Sequence, residues 1–234
     1  MRTTIKDILL YNSCPIKATK YIKGPFKKQH RNLIISMCLA NAIEKKLILE
    51  SNGHVPVDLS SYMRATTRMF NSNIKQYDIK LTQEEINKIN KLLSEFYNLN
   101  ILSGLETLLS TLYMRYQIDN VSIDEVYPVI MKDINDTMHI FYIEPLNKTM
   151  TQNSIEYLCR IRTFLLCTKL DLDHAYVHIV SVSNNKINYK RILYNVNKDK
   201  KVLNTIIFNY VRIFKNMPKY NNWLNCNSCD FTCK

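Results

Sequence analysis

After about residue 100 the apolar residues of this chain stop recurring at helical spacing and begin to alternate. That change of period sets the fold class, because a helical face and a strand face need different spacings. Upstream, Arg31 to Leu49 is rich in Leu, Ile, Met and Ala, and residues 58 to 71 continue in the same manner after a loop at Gly53 to Pro56. Thr82 and Glu85 form a capping box ahead of Ile86, Ile89, Leu93, Phe96 and Leu99, which share one helical face. A further short helix is expected over residues 4 to 13. Downstream, Val121 to Ile130 and Met138 to Ile143 are β-branched and aromatic, and the polar run Lys132 to Asp136 joins them as a hairpin. Residues 153 to 169 predict a helix with Ile155, Leu158, Ile161 and Leu165 inward. Strands follow at 175 to 182 and 186 to 196, then an amphipathic helix over 199 to 216 that Pro218 ends. Residues 104 to 118 carry Thr and Tyr, which suit a strand, and Leu105, Leu108, Leu109 and Leu112, which suit a helix; strand is the assignment made here. The expected architecture is α/β (α+β): a helical part over about 31 to 100, and a sheet-containing core over about 101 to 216.

At 234 residues, 46% hydrophobic, the chain is long enough for one well-buried core and is not disordered by composition. Three Gly and six Pro leave no flexible linker, so one domain spanning residues 1 to 234 is expected. Abundant Asn, Ile, Lys and Tyr point to an AT-rich coding genome, as in some phages, plasmids and parasites. Lys and Arg outnumber Asp and Glu by 32 to 20, a formal charge of +12. Such a surplus favours a polyanion, and nucleic acid ahead of an anionic membrane. The densest basic stretch holds Lys17, Lys20, Lys27, Lys28 and Arg31, and fifteen Tyr are interleaved along the chain as potential stacking faces. No signal peptide and no bilayer-length apolar run is seen, so a reducing compartment is expected: cytoplasm, or host cytoplasm for a viral protein.

In that setting seven Cys are not expected to form a disulfide framework. Cys226, Cys229 and Cys233 place three thiolates within eight residues, a spacing that suits tetrahedral Zn2+ or an iron–sulfur cluster. Cys14, ahead of Pro15 and outside any apolar run, is the candidate fourth ligand. Cys38, Cys159 and Cys167 lie within apolar helical patterns and are expected in the core.

One distant Cys near the start, three at the end and a mixed core between them resemble the RecB-type iron–sulfur nucleases of the PD-(D/E)XK superfamily. The match begins at Cys14-Pro15-Ile16-Lys17 with Tyr21 and spans essentially the whole chain. The resemblance implies a 4Fe-4S cluster, or Zn2+, at Cys14, Cys226, Cys229 and Cys233. It also implies a helical region, a hairpin with catalytic carboxylates, a helix and a strand. The chemistry of phosphodiester hydrolysis explains the carboxylates, which hold Mg2+ or Mn2+ to activate water and neutralise phosphate. Asp124 stands where the family has Gly-Ile-Asp, and Glu144 where the second carboxylate belongs. Glu106 joins them if its segment is a strand. The family's Lys two residues after the second carboxylate is Leu146 here, with Lys148 displaced by two; its Gln-x3-Tyr is Arg160-x3-Phe164, and its helical His has no counterpart. Arg160 is then a candidate phosphate contact. These departures imply a DNA-binding protein of nuclease fold with altered or lost exonuclease activity. The alternatives are an inactive nuclease-like subunit or adaptor of a replication, recombination or transcription complex, and a zinc-stabilised interaction protein.

Elsewhere, His174 and His178 are four apart at a strand start, where that spacing makes no helical metal pair, and three glycines supply no phosphate-binding loop.

Overall fold

The structure is a computed structural model and describes residues 2–6, 31–56, 58–118, 121–146, 151–198, 200–201, 203–205 and 207–208. The α/β class expected from the sequence is the class observed. Helices α1 (Arg31–Ser51), α2 (Leu59–Lys75) and α3 (Gln83–Asn98) come first. Strands β2 (Glu106–Ile118), β3 (Val121–Lys132) and β4 (Met138–Pro145) follow, then α4 (Gln152–Leu170), β5 (His174–Val182) and β6 (Ile187–Asn195). A two-residue strand, β1 (Arg2–Thr3), precedes them all. The ambiguous segment is a strand, and the expected capping box at Thr82 and Glu85 forms in both directions.

Among the described residues these strands build one six-stranded sheet. β2, β3 and β4 run antiparallel in turn, β4 and β5 pair parallel from His139↔Tyr176 to Pro145↔Val182, and β6 closes antiparallel on β5. The parallel pair requires a crossover, and α4 supplies it. β1 lies parallel to β3, with Thr3 opposite Ile123. It was not foreseen, because two residues are too few to show alternation. A helix is expected over residues 4 to 13; residue 4 has no regular structure, residues 5 and 6 are helical, and residues 7 to 13 lie outside the described residues.

The middle of the sheet, β3 to β5, is largely buried on both faces, and each face has its own core. Ile123, Tyr127, Ile140, Tyr142, Val177 and Ile179 pack against α4 and against Leu203 and Ile207 of a helical segment that starts at residue 196. Phe141, Ile143, Val180 and Val182 pack against Ile35, Leu39, Ile43 and Leu47 of α1, with α2 and α3 behind. A helix caught between two apolar layers is buried all round, and residues 161 to 167 of α4 are buried without a break. Cys159 and Cys167 lie in the first core and Cys38 in the second, each a free thiol.

β3 changes face in mid-course. Ile123 and Tyr127 point to the α4 side, whereas Val129 and Met131 point to the α1 side. Pro128, which lacks a backbone donor, stands at the crossover opposite Thr111, whose φ of 73° is in the left-handed region. Among the described residues no helix is long and apolar enough to cross a membrane.

Candidate functional site

Tyr127, Tyr142 and the apolar side chains of α4 surround a set of charges on the α4 face of the sheet. Glu125 comes from β3, Glu144 from the end of β4 and Arg162 from the middle of α4. Arg162 Nε lies 2.8 Å from Glu125 Oε2, and its Nη1 donates to Glu144 Oε1 at 3.1 Å. The Nε contact is an ion pair whose N–H is not aligned on the carboxylate oxygen. Arg162 Nη2 donates to the carbonyl of Val126. The guanidinium also stands over two rings, 4.6 Å from the centroid of Tyr142 and 5.7 Å from that of Tyr127, a cation–π arrangement.

The start of the chain completes the cluster. Pairing of β1 with β3 brings residues 5 and 6 alongside, so the backbone N–H of Ile5 donates to Glu125 Oε1 at 2.7 Å. Lys6 Nζ donates to Glu144 Oε2 at 3.1 Å. All four carboxylate oxygens of Glu125 and Glu144 therefore face a donor or a cation. Glu44, half-buried on α1, is near enough to feel them: burial and then the charge of Glu144 push its carboxyl up. Burial also pushes up Glu125, opposed by the Arg162 charge. Burial acts to lower the pKa of Arg162, but the charges of Glu125 and Glu144 outweigh it and hold the guanidinium firmly protonated.

Asp124 does not belong to this cluster. Neighbours on a strand point to opposite faces, and Asp124 instead meets Arg115 of β2, with Arg115 Nε donating to its Oδ1 at 2.6 Å. The structure thus brings Glu144 together with Glu125, one residue from the carboxylate the family motif selects. Glu106 is farther off. It starts β2 opposite Lys132, whereas Asp124 pairs with Arg115; nine residues of strand separate them, roughly 30 Å. Its joining Asp124 and Glu144 is corrected by this register. Leu146, at the position of the family's Lys, packs against the α4-side core.

A divalent cation does not fit between Glu125 and Glu144 as they stand, because Arg162 already fills that space and Lys6 and the Ile5 N–H take the outer oxygens. Among the described residues no three His, Cys, Asp or Glu side chains are arranged to hold a metal ion. Cys14, Cys226, Cys229 and Cys233 lie outside the described residues, as do Lys17, Lys20, Lys27, Lys28 and Lys148. Of the remaining basic candidates, Arg31 is engaged. It pairs with Glu85, donates to Glu85 Oε2 at 2.7 Å and to the Lys80 carbonyl at 2.9 Å, and holds the Glu85 carboxyl down to about 2. Arg160 is exposed on α4 and has no ion-pair partner among the described residues.

A second polar group lies on the α1 face. Asp133 Oδ2, His139, His178 and Tyr189 form a hydrogen-bonded chain, with His139 Nδ1 2.8 Å from His178 Nε2 and His178 Nδ1 2.7 Å from Tyr189 Oη. Phe141 stacks on His178 at 4.1 Å. Burial pushes His178 down to about 3, helped by His139, and burial lowers His139 as well. His178 therefore pairs across strands with His139, not along its own strand with His174.

Sequence reasoning missed Arg162, Glu125, Glu44 and Lys6. Arg162 had a signal: it falls on the apolar stripe of its helix, between Ile161 and Leu165. No family model matches the chain, and no curated protein matches it. Among solved structures it is similar to one titled "Crystal structure of SSO0001", at 11% identity and a TM-score of 0.34, over 95% of this chain and 93% of that one. A TM-score of that size does not carry the neighbour's fold or role to this chain.

Proposed function

We propose that this chain binds nucleic acid on a PD-(D/E)XK nuclease-type core whose divalent metal has been replaced by an arginine, and that it does not hydrolyse its ligand. The observation that carries this reading is the seating of Arg162 between Glu125 and Glu144. Hydrolysis of a phosphodiester in that family needs carboxylate oxygens open to a metal ion, and here each has a protein donor or cation. The order of helical region, carboxylate-bearing hairpin, crossover helix and parallel strand supports the family resemblance, and Leu146 in place of the family's Lys supports loss of chemistry. The charge of +12 supports a polyanionic ligand, with Arg160 as an exposed contact for phosphate. The same reading gives the chain an architectural or subunit role in a DNA-handling complex. It keeps Cys14, Cys226, Cys229 and Cys233 as ligands of an iron–sulfur cluster or Zn2+, which visible absorbance and metal content separate.

Labelled single- and double-stranded DNA incubated with the full chain and Mg2+ or Mn2+ tests it. The expected result is binding that weakens steeply with salt, and intact DNA throughout. Metal-dependent cleavage that Glu144→Gln abolishes would restore the enzyme reading; absence of binding at low salt would remove the nucleic acid.

A further inference from the structure

The α1 face of the sheet is covered at one end and open at the other. Phe141, Ile143, Val180 and Val182 lie in the core beneath α1. Toward the start of β5, Tyr176 is half-buried, Arg191 is exposed and Leu193 is 56% exposed. The unbroken register of β5 with β6 sets these three on that face, with Arg191 opposite His178 and Leu193 opposite Tyr176. Residues two apart on a strand share a face, so Arg191 and Leu193 stand beside each other along β6.

Arg191 is held in place without being neutralised. Its guanidinium carbon lies 3.9 Å from the centroid of the Tyr176 ring, a cation–π contact. Tyr176 has its own support, because His139, with ring centroids 4.9 Å apart, is hydrogen-bonded at both ring nitrogens, to Asp133 and to His178. Arg31, Arg115 and Arg162 each meet a carboxylate. Arg191 makes no hydrogen bond or ion pair among the described residues. Contact with a ring occupies one plane of a guanidinium and none of its N–H groups. The edge is left to fork an oxyanion, and the outer plane to carry a flat group.

An oxyanion for the edge, a flat group for the outer plane and an apolar contact for Leu193 coincide in a nucleotide whose base is unpaired. A duplex offers its phosphates but keeps its bases stacked inside, which leaves Leu193 against water. We infer that this open end of the sheet binds an unpaired stretch of a nucleic acid strand, with Arg191 donating to a phosphodiester oxygen and Leu193 against the sugar and base. The choice of a nucleic acid over an acidic peptide rests on the reading proposed above; the preference for a single strand over a duplex rests on Leu193 and the free plane of Arg191.

Fluorescence anisotropy of the full chain with a labelled thymine-only single strand, and with a labelled duplex of the same length, tests the assignment. Arg191→Ala is expected to weaken the single strand about tenfold or more, and the duplex several-fold less. It should also lower the slope of log affinity against log salt by about 0.7, the share of one phosphate contact on a single strand. Arg191→Lys keeps the charge but neither the fork nor the flat plane, so it should restore little of the loss. Leu193→Ser should weaken the single strand about threefold and leave the duplex unchanged. These positions are exposed, and an unchanged circular dichroism spectrum shows that each variant folds. The assignment is overturned by full recovery in Arg191→Lys, by equal losses on strand and duplex, or by displacement of the strand with polyglutamate at matched charge. Wild-type binding by Arg191→Ala removes this face and leaves the function proposed above; a wild-type chain that binds neither nucleic acid removes both.

Discussion

Arg162 cannot leave its place without stranding two buried carboxylates, and that sets its energetic weight. Removing one partner of a buried ion pair costs roughly 3 to 5 kcal/mol, mostly from the charges left behind. Arg162→Ala should therefore lower unfolding stability by about that amount in urea, and adding Glu125→Gln and Glu144→Gln should recover most of it. A loss below about 1 kcal/mol would place the guanidinium in solvent instead. The sequence carried part of this arrangement. Val121, Ile123 and Tyr127 are the apolar residues of an alternating run, so Glu125 shares their inward parity and Asp124 does not. The family motif selects Asp124, and alternation selects Glu125; packing follows alternation, because strand geometry acts on every residue and a motif only on its own chemistry. Lys6 and the Ile5 N–H had no signal, since a contact across more than a hundred residues leaves no local pattern.

Elements with a clear period were legible, and long-range pairings were not. The capping box, the hairpin and the crossover helix followed from spacing and turn chemistry. Parallel pairing of β4 with β5, which makes Phe141 the partner of His178 and sets His139 beside it, could not be read from either strand alone. That pairing has a titratable consequence. His178 is held near 3 and His139 is lowered, so the folded protein binds fewer protons than the unfolded chain between those values and the ordinary histidine range near 6.5. Stability from a depressed pKa is full above the unfolded value and is lost as pH falls below it. Unfolding measured from pH 7 to pH 4 should show a loss on the order of 3 kcal/mol from this pair, at about 1.4 kcal/mol per pH unit for His178. Replacing His178 with Asn should flatten the profile. An identical slope in that variant would assign the acid loss to other groups.

At the scale of the whole molecule, two apolar cores enclose a sheet that carries its charges between layers. The Glu125–Arg162–Glu144 cluster joins two strands, β3 and β4, to the crossover helix, and Lys6 adds the start of the chain. Such a cluster ties the core together electrically without any bound ion. In the proposed function the surface then supplies affinity for a polyanion while the interior lacks the open oxygens that hydrolysis needs. The most direct test is Mn2+ binding by electron paramagnetic resonance, on the full chain and on Glu144→Gln. If Arg162 is the resident cation, the two proteins should bind Mn2+ alike, with no tight site that depends on Glu144. A single tight Mn2+ site in the wild-type chain that Glu144→Gln removes would contradict the account.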